Sequence, residues 1–562
     1  MLLRSPSLRN QLIILPELLA ERVESGPHAA RFFLYLAETL DMRLYRKQFV
    51  GTPPYSRPTL LAVILYSMHK GHYESQNIVQ YAGDSIGAQW ILNGMQMPSY
   101  KTVQRAINAL MEELDNVFAQ ILSLCAKKGL IGGRCVYTDG VKVQANASKH
   151  KAMSYEHLGK KIARRKEDLK ALFAALRETV DEWELSEGDF HETALEDAAD
   201  VHKGLLKIHK DALRKRQERI FNKDFEEAQP EKTGEESPMD DIKAGLQILE
   251  NVEPGKHDEA VGILSNIAFA DKRVSRMEDA KSELEDRWKA ANGNMKIPET
   301  QQINFTDPDS CIMTTKHHGV QQCYNNFAIV DDKANIILGS YTSNNPIDQV
   351  SLKSCVERTE QAYGSLEGFQ FGADAGFFSA NNISYMKGKG IDFYASYPEG
   401  KSPYAKDKFK YDENTDTYTC PDGYALSTPK GSKGEIRTYR NEAACRSCKH
   451  QSDCTKAKDG VRRINRDMEG DKLREEGREK ADSAVGREIL RLRKSVPEPV
   501  WGNIKTQDNF IQMQYRGLEK AGLEFELHCL LQNIRKLMKV YLKSESYQVV
   551  VHSKCGGCCK VA

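Results

Sequence analysis

Three acidic residues stand in surroundings that would let them do chemistry. Asp139 lies in Arg134-Cys135-Val136-Tyr137-Thr138-Asp139-Gly140-Val141-Lys142-Val143, whose β-branched and aromatic residues read as a strand. Asp374 follows a second strand pattern, Phe369–Ala373, and leads into Ala375-Gly376. Glu498 sits among apolar residues inside a basic stretch that runs from Arg491 to Lys505. Carboxylates gathered from separate elements can hold hard divalent cations, which prefer oxygen ligands. Two such ions roughly 3.5–4 Å apart neutralise phosphate charge and activate an oxygen nucleophile near pH 7, the requirements of phosphoryl transfer. Side chains at strand ends of an open α/β sheet point into the crevice where ligands bind. Two blander readings stand beside this one. An Asp next to a Gly is commonly a turn or cap, and Glu498 beside Arg493, Lys494 and Lys505 could be an ion-pair partner. On the functional reading, those three cations hold phosphates instead.

A second candidate is Cys420, Cys445, Cys448 and Cys454, spaced C-x24-C-x2-C-x5-C. Four thiolates complete a tetrahedral Zn²⁺ shell, which stabilises a loop-rich segment with little core. The alternative is free thiols in an ordinary loop. The surrounding cations, among them Lys430, Lys433, Arg437, Arg440 and Arg446, could touch a DNA backbone. The tail cysteines Cys555, Cys558 and Cys559 and the pair His317-His318 are read as non-functional.

The elements that must position these residues follow from periodicity. Residues 10–130 read as helical, with Leu60, Leu61, Ile64, Leu65 and Met68 in one run and Val103, Ile107, Leu110 and Leu114 in another. Ser99 is the expected N-cap of the second. From residue 151 to about 300 two amphipathic stretches, Leu158–Trp183 and Leu205–Ile220, predict a helical hairpin. A linker-like segment, Ala228–Pro238, follows them. Strands resume at Tyr324–Asp331 and Ile336–Thr342 as a hairpin. Asp348 is expected to cap a helix through Tyr363, then come a strand to Ala373, a helix from Asn381 and a strand at Ile391–Tyr397. The order is strand, long insertion, two strands, helix, strand, helix, strand, which predicts a mixed α/β sheet with helices on its faces. Residues 401–466 are polar and Cys-bearing, 470–494 are helical and charged, and Leu518–Leu542 forms a last amphipathic helix.

The chain has 562 residues, too many for one core, so roughly two to four structural units are expected. Its 80 basic and 79 acidic side chains leave a net charge of +1, so any nucleic-acid-binding surface must come from segregated charge. Residues 178–260 are acidic, while 425–466 and 487–543 are basic. No signal peptide and no membrane-length apolar run is read. With thirteen Cys and no secretory signal, reduced thiols or a metal site fit better than disulfides. The cytoplasm of a prokaryotic cell is the expected location, with nucleoid association when bound to DNA.

Several blocks, in order, resemble bacterial insertion-sequence transposases of the DDE superfamily. Val136–His150 is similar to the first-Asp block, Gly372–Ser379 to the second, and Glu498–Lys505 to the third. Tyr515-Arg516-Gly517-Leu518 and Leu531–Leu537 resemble the closing helix, and residues 27–120 an InsH-type N-terminal domain. Residues 420–454 resemble a Cys-bearing insert found in a subset of the family. The resemblance implies an RNase H-like catalytic domain from 131–150, 301–412 and 467–545. To it are added a helical N-terminal domain (1–130) for DNA binding and dimerisation, a helical insertion (151–300), a Cys-rich insert (413–466) and a tail (546–562). It implies that Asp139, Asp374 and Glu498 bind two Mg²⁺ or Mn²⁺ ions. The implied substrates are double-stranded DNA with terminal inverted repeats and target DNA, and two-ended chemistry implies a homodimer. The competing reading is a catalytically inactive or domesticated DNA-binding derivative. Pro497 lacks an N–H and restricts its predecessor, so a helix must start or kink near Glu498.

Overall fold

The structure, a computed structural model, describes residues 23, 28–43, 55–179, 257–315, 319–429 and 434–543. The second amphipathic stretch (205–220), the linker at 228–238, His317-His318, Lys430, Lys433 and the tail cysteines lie outside them. The chain divides into two compact units: Met1–Asn146 with Ile312–Ala562, and Ala147–Cys311.

The first unit opens with helices α1 (Ala29–Thr39), α2 (Arg57–His69), α3 (Ser75–Asp84), α4 (Ile86–Leu92), α5 (Tyr100–Glu112) and α6 (Leu114–Lys127). Leu61 through Met68 of α2 are all buried, so this helix is the centre of the cluster rather than a one-sided surface helix. Ser99 caps α5 as expected, its hydroxyl accepting from the Thr102 N–H at 3.2 Å. Strand β1 (Cys135–Gln144) follows.

The second unit holds β2 (Ala152–Ser154), α7 (Tyr155–Thr179), α8 (His257–Asn292) and β3 (Gln302–Asn304). The described partner of α7 is α8, and Leu158, Ile162 and Leu169 pack with Val274, Met277, Ala280 and Leu284. The expected hairpin named 205–220 as the second arm. The 257–292 stripe escapes notice because it is narrow and includes an alanine. β2 and β3 pair antiparallel, Ala152 opposite Asn304, so the two ends of this unit stand side by side.

The first unit resumes with β4 (Cys311–Thr315), which begins on the last residue of the second unit. It continues with β5 (Gly319–Asp331), β6 (Ile337–Ser343), α9 (Leu352–Tyr363), β7 (Gln370–Ala373), α10 (Ala380–Gly388) and β8 (Asp392–Ala395). Among the described residues, β1 and β4–β8 form a six-stranded sheet in the order β4-β5-β1-β7-β8, with β6 also on β5. β5 runs antiparallel to β1 and to β6, whereas β7 runs parallel to β1 and β8 parallel to β7. The expected mixed α/β sheet and its element order are therefore present. One local expectation is corrected. Asp348 does not cap α9; it opens a 3-10 turn (Asp348–Ser351), and the N-cap of α9 is Ser351.

Residues after β8 build a small subdomain of short strands: β9 (Lys410–Asp412), β10 (Thr417–Thr419), β11 (Ala425–Ser427), β12 (Ile436–Tyr439) and β13 (Ile464–Asp467). Its core is Phe409, Tyr418, Leu426, Tyr439 and Ile464. Arg466 lies 3.6 Å from the Tyr411 ring and holds Glu475 with two bonds of 2.6 and 2.8 Å, tying the subdomain to the next helix. That helix, α11 (Met468–Asp482), is followed by α12 (Ala484–Leu492), α13 (Pro497–Gln507) and α14 (Leu518–Lys543).

α14 is buried along most of its length against β6. Asn533, fully buried, donates to the Ile337 carbonyl at 2.8 Å and accepts from the Ile337 N–H at 2.9 Å, completing the edge of β6 as a strand would. Near it, buried Asp508 pairs with Arg535 and stands 3.2 Å from His528. Arg535 also reaches His69 of α2 at 3.4 Å. Burial, with the Arg535 charge, pushes the His69 pKa down to about 4, and burial lowers that of His528. Both rings are neutral in the fold, and unfolding lets them take up protons below their ordinary value of 6.5. Their contribution is complete above pH 6.5 and is lost as pH falls toward 4, by roughly 3 kcal/mol for a shift the size of that at His69. Thermal melts between pH 7 and 4.5 should show falling stability, with a shallower slope in His69→Gln, whose amide still accepts from Arg535. An unchanged slope would remove His69 from the pH response.

Candidate active site

The parallel pairing of β1 with β7 places the first two acids. Cys135, Val136 and Tyr137 stand level with Gln370, Phe371 and Gly372. Two residues beyond the Tyr137–Gly372 pair come Asp139, inside β1, and Asp374, one residue past the end of β7, so the register brings the two acids out on neighbouring stretches of backbone. Neither is buried or fully exposed. Asp374 keeps an extended backbone, and its Oδ1 accepts from the Gly376 N–H at 2.9 Å. The cap and the candidate ligand are therefore the same residue. Asp139 accepts from the Gly140 N–H at 3.0 Å.

Glu498 occupies the first turn of α13, directly after Pro497 at its first position. The helix starts there because Pro needs no hydrogen-bond acceptor at that position, as its chemistry predicts. Val500, Trp501 and Ile504 face inward and pack α13 against β1 and α14, while Glu498 is exposed. In the turn just before, the Arg493 guanidinium lies 4.0 Å from Asp139 Oδ1. Arg493 thus joins the acid group, whereas Lys494 and Lys505 are on the exposed surface. Among the described residues no three His, Cys, Asp or Glu side chains converge closely enough to hold a metal ion as placed, so Glu498 does not close a cage on the two aspartates.

Two features of the surroundings bear on a hard cation. Glycines flank both aspartates. A Cβ on Gly140 would lie 2.8 Å from the Phe327 ring, and one on Gly376 would lie 3.0 Å from Asp374 Oδ1. Asn325 is buried with its Oδ1 unpartnered by protein, but that oxygen lies 3.4 Å from the point a Gly140 Cβ would occupy, on the face of β1 opposite Asp139. The donor set is entirely oxygen, which fits Mg²⁺ or Mn²⁺.

The four cysteines line one cavity of about 30 Å³ in the small subdomain, together with Tyr404, Phe409 and Leu426. Cys420 Sγ accepts from the Tyr424 N–H at 3.3 Å, and the Cys448 thiol lies 3.7 Å from Asp422. Burial pushes the Cys454 thiol up, and the neighbouring Cys445, Cys448 and Cys420 add to it. Arg462 works against that rise, and as placed the four thiols do not converge closely enough to hold a metal ion.

Residues 419–538 match the family model described as Transposase DDE domain. This match supports a transposase of the DDE superfamily. The matched span includes three of these elements: the cysteines, Glu498 with α13, and most of α14. Transposases of this superfamily act on DNA and generally use divalent metals. No curated protein and no solved structure matches the chain. No helix among the described residues is long and apolar enough to cross a membrane.

Sequence reasoning missed Asp348 and Asn325. Asp348 comes close to the Gly376 turn beside Asp374 and accepts from Asn325, and neither residue lies in a block that carried the resemblance. Gly140→Ala should cost about 1–3 kcal/mol, because the Phe327 ring it meets is fully buried and cannot retreat. Chemical denaturation checks this, and wild-type stability would show that the ring yields.

Proposed function

We propose that this transposase cleaves DNA strands at the ends of its element and joins them to target DNA, with Asp139, Asp374 and Glu498 as its acidic trio. The observation that carries this reading is the parallel β1–β7 register, whose last pair, Tyr137 and Gly372, stands two residues before Asp139 and Asp374. Three antiparallel strands continued by two parallel ones support assigning the sheet to the RNase H-like class that the resemblance implied. When bound, two Mg²⁺ or Mn²⁺ ions would neutralise phosphate charge and make an oxygen nucleophile available at neutral pH. Asp139 and Asp374 would orient that centre from rigid strands. Glu498 would reach it from α13 on closing over DNA.

In the first step a water oxygen attacks phosphorus and the 3′-oxygen leaves, giving a 3′-hydroxyl and a 5′-phosphate. In the second, that hydroxyl attacks a target phosphorus and displaces a target 3′-oxygen. No covalent link to the protein is needed, so the chain contributes positioning and charge. Arg493, Lys494 and Lys505 would hold phosphates, with Arg493 exchanging Asp139 for a phosphate oxygen. The N-terminal helices would bind the terminal inverted repeats and dimerise.

Asp139→Asn and Asp374→Asn should each abolish Mg²⁺-dependent nicking and joining of terminal-repeat DNA, a loss of at least a thousandfold on the scale of removing charge stabilisation. DNA binding should persist in mobility-shift assays. Cleavage surviving either change removes that residue from the mechanism; wild-type protein that binds but never cleaves favours the inactive derivative.

The cysteine pocket is read as a structural Zn²⁺ site. Purified protein should contain one zinc by elemental analysis, and Cys445→Ser/Cys448→Ser should lose it. Protease should then cut within 401–467, whose core is only a few side chains. Full-strength folding without zinc would reject the site.

A further inference from the structure

We propose that the inserted helical unit grips DNA, with Lys151, Lys161, Arg165 and Arg273 as a row of cations along one rim of the α7–α8 pair that holds backbone phosphates. This rests on the reading above that the chain acts on DNA.

The row follows from how the two helices meet. The Tyr155 hydroxyl donates to Glu285 at 2.6 Å and Lys166 pairs with Glu278 at 2.7 Å, so the start of α7 lies beside the end of α8 and the helices run antiparallel. Leu158, Ile162 and Leu169 form the seam with Val274, Met277 and Leu284, and Arg165 continues the spacing of three and four on α7. Lys166 and Glu278 each stand one residue past a seam position and meet on one rim as a complementary pair. Lys161 and Arg273 each stand one residue before a seam position, which puts both on the other rim. Lys161 lies one turn before Arg165, and the register of the two contacts puts Arg273 roughly one turn beyond it. Lys151 joins them from the 3-10 turn before β2.

These charges oppose one another. Lys161 and Arg273 are partly buried. Burial lowers the Lys161 pKa from its ordinary value, and the charges of Arg273, Arg165 and Lys151 lower it further. Arg165 has a carboxylate, Asp168 at 3.2 Å. Among the described residues the other three cations have none, and the Lys151 ammonium stands over the Phe305 ring at 5.5 Å. A solvated helix face gains from pairs such as Lys166 and Glu278, whereas like charges one turn apart weaken it. The rim therefore costs the helix pair stability, and an anion from outside would offset that cost. Phe269, one turn before Arg273 on the same face of α8, is 72% exposed, so the row ends in an open aromatic ring. Cations followed by a bare ring match a nucleic acid, which brings phosphates for the charges and base faces for stacking; an acidic peptide brings only the charges.

The test is DNA binding by the full-length protein across a range of salt, on a terminal-repeat duplex and on a random-sequence duplex. Lys161→Gln/Arg273→Gln should weaken both by the same factor, about tenfold at low salt, and make the slope of log affinity against log salt shallower by about two. Lys166→Gln, on the paired rim, should bind both duplexes as wild type does. Lys161→Glu supplies the carboxylate that the rim lacks, so it should raise the melting temperature while weakening DNA binding, and it decides the matter if the double variant fails to fold. A lower melting temperature for Lys161→Glu with unchanged DNA binding would mean that Lys161 is structural and overturn the proposal. So would tighter DNA binding, which would assign the row to the chain's own acidic stretch at 178–260. If these variants bind like wild type while wild-type protein nicks terminal-repeat DNA, the row is outside the DNA surface and the proposed function stands. If wild-type protein binds neither duplex, both fall.

Discussion

Everything at the acidic site depends on one backbone contact: the parallel ladder between β1 and β7. A strand pair in register fixes both the height and the face of each side chain, so three paired residues are enough to align the aspartates beyond them. β1 can serve this way because it is a central strand, held on its other edge by β5 from Val136 to Gln144. Gly372 reinforces the register. A Cβ there would lie 2.5 Å from the Tyr137 ring, so the ring of β1 lies directly over the backbone of β7. A slip of one residue would put one aspartate on the opposite face.

The third acid is held by different means. α13 is anchored by Trp501, stacked on Phe525 of α14 at 5.7 Å, and by the loop between them. That loop is pinned at two points. Met513 N–H donates to the Gln144 carbonyl at the end of β1, and buried Glu524 accepts from the N–H groups of Gln514 and Tyr515. Burial raises the Glu524 carboxyl to about 7 even though both N–H groups favour its charged form. Helix, loop and strand end thus form one chain of contacts, but each link is side-chain packing rather than a ladder. That difference suits the proposed mechanism, in which Glu498 would come to the site on α13 while the aspartates stay in place.

Much of this was legible in the chain because it is local. The strands around Asp139 and Asp374 are short runs of β-branched and aromatic residues, and their order predicts the mixed sheet. The start of α13 at Pro497 follows from the missing N–H alone. What escaped is set by contacts far apart in sequence. Asp348 has the local signature of a helix cap, yet its partners are Asn325 and the Gly376 turn. Asn533 and Arg535 read as polar residues on an amphipathic helix, but one completes β6 and the other neutralises a buried Asp508. The strands of the cysteine subdomain are three or four residues long, too short for alternation to show.

The placement of the insertion follows from chain entropy. The second unit leaves after β1 and returns before β5, which must pair with β1 along nearly its whole length. A flexible loop of that length would cost little more than a short one, since closure entropy grows only with the logarithm of length. The structure lowers even that cost. β2 and β3 zip the two ends of the unit together, and Asn304 adds a bond of 2.9 Å to the Ser148 carbonyl. To the sheet, the inserted unit is then equivalent to a tight connection.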